Sequence, residues 1–305
     1  MDVSVVVPVY RCQACLRELV ARLKQALSDC ARSYEILLIE DRGGDGSWET
    51  IEELAACEPE VVGVQLSRNF GQHNAVMAGL DRASGDWVVV MDCDLQDRPD
   101  DIPLLLEAAR GGFDVVIARF RERPGTLLSR MVARLFYRAF SILSGFQYQE
   151  GERSFRVMSR KVVDQLCLMR EQMRSIGPLC HWLGFDTHYV ELPYTTRAAG
   201  QSSYNPRRLV EVATLAIVAF SDRPLRISIW LGIAISWSSM LLGLVVVLFA
   251  LLGSPPPGWA SIVIPLFFLG GLLLMNMGVL GIYIGRVFDE AKSRPLYVIS
   301  STTNE

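Results

Sequence analysis

"VVVMDCDLQDRPDDIP", residues 88–103, sends four apolar residues, Val88 to Met91, straight into five carboxylates within ten positions: Asp92, Asp94, Asp97, Asp100 and Asp101. A continuous apolar run that turns abruptly polar reads as a strand buried on both faces, followed by a loop at its carboxyl end. Carboxylates this close repel one another, so the loop is built to meet something positive.

Working outward, the same pattern recurs. "VSVVVPVY" (3–10), "YEILLIED" (34–41) and "VVGVQLS" (61–67) are further apolar strands. Between them, residues 13–31 place Leu16, Leu19, Val20, Leu23 and Leu27 on one helical face, "SWETIEELAACE" (47–58) forms a second helix with Ser47 placed to cap it, and "NAVMAGLDRAS" (74–84) forms a third. Strand and helix alternation of this kind predicts an α/β domain with a parallel sheet covered on both faces. Ligands of such sheets bind beyond the carboxyl ends of the strands. That rule selects Pro8 and Tyr10, Glu40 and Asp41, Arg68 and Asn69, and Asp92 and Asp94 as residues converging on one edge.

The chain has 305 residues and a formal net charge of −3, which excludes a global basic footprint for nucleic acid. Half of it is hydrophobic, and the excess sits late. From Ile227 to Gly285 no residue is charged, and "GSPPPG" (253–258) breaks the stretch. The halves, 227–252 and 259–285, each exceed the roughly 20 helical residues a bilayer core requires, so they read as a transmembrane hairpin. Arg207, Arg208, Arg223 and Arg226 precede it and Arg286, Lys292 and Arg294 follow. By the positive-inside rule both flanks face the cytoplasm, which places the chain in the inner membrane with its termini on the cytoplasmic side. Asn276, the most polar side chain of the second span, is expected at a helix–helix contact. Residues 205–226 read as a juxtamembrane linker and 286–305 as a cytoplasmic tail, with "SSTTNE" frayed. Residues 125–146 carry Arg130, Arg134 and Arg138 at four-residue spacing among aromatic and aliphatic residues, the pattern of a basic helix lying at a membrane surface. The seven scattered cysteines read as reduced thiols, and "MDVSVVVPVY" reads as a strand rather than a signal peptide.

Asp92 and Asp94, two residues apart past a strand end, can face one hard cation, Mg²⁺ or Mn²⁺, with Gln96 adding a neutral oxygen. A substrate diphosphate sharing that metal would have its charge neutralised as it leaves.

With these residues in place, "LLIEDRGGDGSWE" (37–49), "LSRNFGQHNAVMAGLDRASGDWVVVMDCDLQDRPDDIP" (66–103), "TRAAGQSSY" (196–204), "FSDRPLR" (220–226) and "GIYIGRVFDEAKSRPLYVI" (281–299) resemble, in order and spacing, the membrane-anchored family 2 glycosyltransferases that load sugars onto polyprenyl phosphates. The resemblance covers nearly the whole chain. It implies a GT-A domain over residues 1–204, Rossmann-like in its alternation, that takes a nucleotide-sugar donor and, with inversion, places the sugar on a polyprenyl phosphate acceptor. It also implies roles. Pro8, Tyr10, Asp41 and Asp92 would bind the nucleotide, while Asp92, Asp94 and Gln96 would hold the metal. Arg119, Arg130 and Arg197 would handle the acceptor phosphate, with Asp94 and Arg197 at the catalytic centre. Guanidinium groups suit that task because they clamp phosphate oxygens in pairs.

Three positions depart from the family pattern. Arg11 and Cys12 replace an Asn–Glu pair after the first strand, Ser203 replaces a lysine, and Ser154 stands where many relatives carry an aspartate. Serine accepts no proton at neutral pH, so either Glu150 or Glu152 takes over as base, and Glu152 is the one carried forward, or the ionised lipid phosphate needs none. Two other readings compete: a catalytically impaired membrane scaffold, and a processive polysaccharide synthase, which would carry a QxxRW motif and more spans. Gly270, Gly271, Gly278 and Gly281 in the second span allow close helix packing and with it a homo-oligomer.

Overall fold

The computed structural model describes residues 1–120, 151–172, 175–193, 223–251 and 258–303. In chain order they form β1 (Val3–Val9), α1 (Gln13–Ser28), β2 (Tyr34–Glu40), α2 (Ser47–Cys57), β3 (Val61–Leu66), α3 (Gln72–Leu80) and β4 (Trp87–Val90). A short 3₁₀ turn at Pro99–Asp101 leads into α4 (Ile102–Arg110) and β5 (Val115–Phe120). Then come β6 (Glu152–Ser159), α5 (Arg160–Leu168), α6 (Ile176–Leu183), β7 (Thr187–Leu192), the long helices α7 (Arg223–Leu251) and α8 (Trp259–Ala291), and β8 (Ile299–Thr302).

Eight strands make one sheet in the order β7-β5-β6-β4-β1-β2-β3-β8. The first four strands pair in parallel, as the alternation with helices requires, and β5 and β7 pair in parallel as well. The sheet as a whole is mixed. β6 runs antiparallel between β4 and β5, and β8 runs antiparallel along β3. Register explains how the site is assembled: Val9 lies opposite Glu40, Glu40 opposite Gln65, and Val6 opposite Val90. The chain therefore leaves β1, β2, β3 and β4 on the same edge.

Every residue of β1 is buried, and α1 turns Leu16, Leu19, Val20, Leu23 and Leu27 onto the sheet. Each such side chain stabilises the fold by about 1.5–3 kcal/mol relative to exposure. On the other face α3 lies directly on β1 and β2. A Cβ on Gly79 would collide with Val6 and come within 3.2 Å of Ile39, so only glycine admits this approach. At α2 the N-cap position is Gly46, in a left-handed conformation (φ 87°), rather than Ser47. Ser47 is the first helical residue, and its N–H and hydroxyl both donate to Asp45 Oδ1, at 3.3 and 2.7 Å.

The chain divides into two compact units, the sheet with its helices and the α7–α8 pair, with residues from 294 onward belonging to the sheet unit. Residues 300–302 are thus not frayed. Leu296 is buried and residues 299–302 form β8. Both α7 and α8 are long and apolar enough to cross a membrane, and their apolar side chains, among them Trp230, Trp237, Leu266 and Phe268, are exposed rather than packed in a core. α8 continues past the expected end at 285 to Ala291, because Arg286 to Ala291 includes no helix breaker. Asn276 donates to Leu272 O at 3.2 Å within α8, a bond inside its own helix. The basic helix expected at 125–146, with Arg130, and most of the linker 205–226 lie outside the described residues.

Candidate active site

At the carboxyl edge of β1, β2 and β4 lies a cavity of about 310 Å³, lined by Pro8, Val9, Tyr10, Asp41, Asn69, Gln72, Ala75, Asp92, Cys93 and Asp94. Of the residues expected at the nucleotide and metal, Pro8, Tyr10, Asp41, Asp92 and Asp94 are brought together here. Tyr10 is exposed at the rim, with the Arg11 guanidinium 5.4 Å from its ring centre.

Asp41 holds the cavity wall. Its two carboxylate oxygens accept the backbone N–H groups of Phe70 at 2.7 Å and Gly71 at 2.8 Å, the residues that lead into α3. Burial raises its pKa above the ordinary carboxylate value, outweighing the two amide bonds that favour the anion. The two unusual residues after β1 also have contacts. Arg11 has a left-handed backbone (φ 52°) and its Nε donates to Gly43 O at 3.3 Å. Cys12 Sγ donates to Cys93 O at 3.0 Å, which ties the start of α1 to the acidic loop.

That loop is wound tightly. Leu95 is buried in a left-handed conformation (φ 59°), a strain of about 1–3 kcal/mol for a side chain of this size that the surroundings must offset. Gln96 N–H donates to Asp94 Oδ1 at 3.1 Å, and Asp92 N–H donates to Asp97 Oδ2 at 3.3 Å. Gln72 Nε2 donates to Asp92 Oδ1 at 2.6 Å. From β6, Arg153 forms an ion pair with Asp97 and donates to Gln96 O at 2.8 Å, with both charged side chains more than nine-tenths buried. The positive charge that the acidic stretch calls for is therefore supplied in part by the protein itself. Sequence reading missed Arg153 and Gln72: no spacing links residue 153 to residue 97, because β6 reaches β4 only through the sheet.

The balance remains anionic. Burial, then the charges of Asp97 and Asp94, push Asp92 up to about 7, and burial pushes Asp97 up to about 6 even beside Arg153. Asp92 and Asp94 are hard oxygen donors lining one cavity, which fits a divalent cation of the Mg²⁺ type. Among the described residues no cluster of three or more His, Cys, Asp or Glu side chains could hold a metal by itself. Such an ion would rest on the two carboxylates and on substrate oxygens, the usual manner of Mg²⁺ with phosphates.

Glu152 is not part of this lining. Its side chain is fully buried on β6, where it accepts from the Tyr189 hydroxyl at 3.0 Å and lies 3.0 and 3.2 Å from His181 Nε2. Arg119, opposite Glu152 in the sheet register, forms an ion pair with Glu191 on β7. Ser154 offers its carbonyl to Arg156 Nε at 3.1 Å. Arg197 and Ser203 lie outside the described residues.

Known proteins resemble this chain over nearly its whole length. The family model for Glycosyl transferase family 2 matches residues 4–167. The SfII prophage-derived bactoprenol glucosyl transferase of Shigella flexneri is 35% identical over 304 residues, 99% of this chain and 98% of its own length. The undecaprenyl-phosphate 4-deoxy-4-formamido-L-arabinose transferase of Aeromonas hydrophila is 34% identical over 97% of this chain and 92% of its own length. Among solved structures, a mannosyltransferase from Pyrobaculum calidifontis, in complex with GDP-Man and Mn²⁺, superimposes with a TM-score of 0.51 at 15% identity, covering 94% of this chain and 84% of its own. That likeness carries the GT-A fold.

Proposed function

Since the chain belongs to glycosyl transferase family 2, we propose that it transfers a sugar, with inversion, from a nucleotide-sugar donor to a polyprenyl phosphate at the cytoplasmic face of the inner membrane. The observation that carries this reading is the convergence of Pro8, Tyr10, Asp41, Asp92 and Asp94 on one cavity at the strand ends. The acceptor class is supported by relatives named for bactoprenol and undecaprenyl phosphate that match over the full chain, apolar helices included.

In this mechanism the nucleotide enters between Tyr10 and the loop that Asp41 holds. Asp92 and Asp94, with Gln96 as a further oxygen, would hold a divalent cation, which when bound would neutralise charge on the departing diphosphate. An oxygen of the lipid phosphate attacks the anomeric carbon from the face opposite the diphosphate. The bond from that carbon to the diphosphate oxygen breaks, and the nucleoside diphosphate leaves with the electron pair. The nucleophile is already an anion, so no proton has to be removed. Glu152, buried between Tyr189 and His181, then keeps a structural part. Arg119, Arg130 and Arg197 are assigned to the acceptor phosphate, where a guanidinium can pair two oxygens at once.

The membrane arrangement follows from connectivity. The strands before α7 and the strand after α8 belong to one sheet. If each helix crosses the bilayer once, both flanks of the pair lie on one side, which the surrounding arginines and lysine make the cytoplasmic side.

The test is to incubate purified protein with undecaprenyl phosphate, Mg²⁺ or Mn²⁺ and a panel of nucleotide sugars, with mass spectrometry of the lipid fraction. The expected result is one new lipid-linked sugar, lost in the Asp94→Asn variant and without metal. Nucleotide binding with no product from any donor would instead favour the scaffold reading.

A further inference from the structure

The segment after α8 reaches the loops that carry the cavity wall. β8 pairs Val64 with Thr302, Gln65 with Ser301 and Leu66 with Ile299, with a bulge between Gln65 and Leu66. The pairing continues beyond both ends of the strand. Ser67 N–H donates to Val298 O at 2.8 Å and Thr303 N–H to Gly63 O at 3.1 Å. Arg42, immediately after Asp41 and left-handed at φ 54°, spans the two strands: Nε donates to Leu66 O at 3.0 Å and one terminal nitrogen to Ser300 Oγ at 3.2 Å. Farther back, the Tyr297 hydroxyl donates to Asp81 Oδ2 at 2.5 Å at the far end of α3.

Loop 67–71 is thus fixed at its start by Val298 and at its end by Asp41, and the turn that carries Asp41 is itself pinned to Ser300 through Arg42. Asn69 and Gln72, one within that loop and one just after it, line the cavity. We propose that residues 296–303 are a positioning element for the donor cavity, with Arg42 as the residue that transmits their hold to Asp41 and its loop. This rests on the reading of the cavity as the nucleotide-sugar site. Arg42 and Ser300 need not touch the reacting atoms; they set where the wall stands.

The experiment uses the full chain in detergent with Arg42→Ala, Arg42→Lys and Ser300→Ala variants, read by amide hydrogen exchange and by steady-state kinetics. Arg42→Ala is expected to speed exchange across 67–71 while α1 stays as protected as before. It is also expected to raise the donor KM about fivefold, the size of one or two lost hydrogen bonds, with kcat little changed. Ser300→Ala shows the same pattern more weakly, and Arg42→Lys restores part of it because one donor and the charge remain. Unchanged exchange at 67–71 overturns the proposal. So does a fall in kcat with KM untouched, since that would put Arg42 in the chemistry. The exchange arm needs no donor, so it decides the positioning question even where the transfer assay yields no product.

Discussion

Asp41 uses both carboxylate oxygens on the amides of Phe70 and Gly71. An asparagine can accept one of those bonds but turns its NH₂ toward the other amide, leaving a half-buried donor unpaired. Asp41→Asn is therefore expected to lose about 1–3 kcal/mol of stability and to weaken nucleotide binding. Thermal unfolding and a nucleotide titration check it, and an unchanged melting temperature would remove Asp41 from its role as anchor. Arg153→Met leaves the buried Asp97 carboxyl without its partner, a loss of about 3–5 kcal/mol at most, of which the added change Asp97→Asn should return a part. Denaturant midpoints of the single and double variants decide this; additive losses would mean that the pair is not coupled. At this scale the sequence reader sees Asp41, Asp92 and Asp94, since each ends an apolar run. Arg153 and Gln72 stay hidden because their partners are set by packing, not by spacing. The expected base, Glu152, shows the converse limit: its position beside Ser154 in sequence says nothing of which way the strand turns its carboxylate.

At the scale of elements, α3 is held at both ends by carboxylates, Asp41 before it and Asp81 after it. Asp81 accepts two bonds from Arg170, at 2.7 and 2.8 Å, and one from Tyr297. Burial would raise its pKa, but the hydrogen bonds from Arg170, Tyr297 and Cys167 overcome that and hold it below the ordinary value. A folded pKa below the unfolded one gives stability that is fully present above the unfolded value of about 3.9 and is lost as pH falls through the folded value. The stability gap between wild type and Asp81→Asn should accordingly be constant from pH 7 to about 5 and close below about pH 4. Melting temperatures across that range check the sign; a gap that widens in acid would contradict it. The elements β1 to β4 with their helices were legible because apolar runs and a helical repeat alternate there without interruption. β8 was not, because "ISST" is short, polar and bounded by nothing that marks a strand. Only the open edge of β3 makes it one.

For the whole molecule, the exposed apolar surfaces of α7 and α8 demand a partner that is not water. In sealed vesicles, single cysteines placed at Asp2 and Ser301 in a cysteine-free background should react with an impermeant maleimide from the same side, and one placed at Gly258 from the opposite side. Labelling of Asp2 and Ser301 from opposite sides would break the hairpin reading. The helical pair was plain in the sequence from its lack of charge over 227–285, whereas its return into the sheet was not.

The strand that covers the β3 edge is made after the other seven strands and after α7 and α8. While the ribosome is still producing α7 and α8, β3 stands as a bare edge, with N–H and C=O groups open to any passing strand. The sheet unit therefore cannot be completed until α7 and α8 have been synthesised. Synthesis of the two apolar helices and closure of the sheet become successive events in one process, and a nascent chain stalled before residue 299 carries an unprotected template for misassembly.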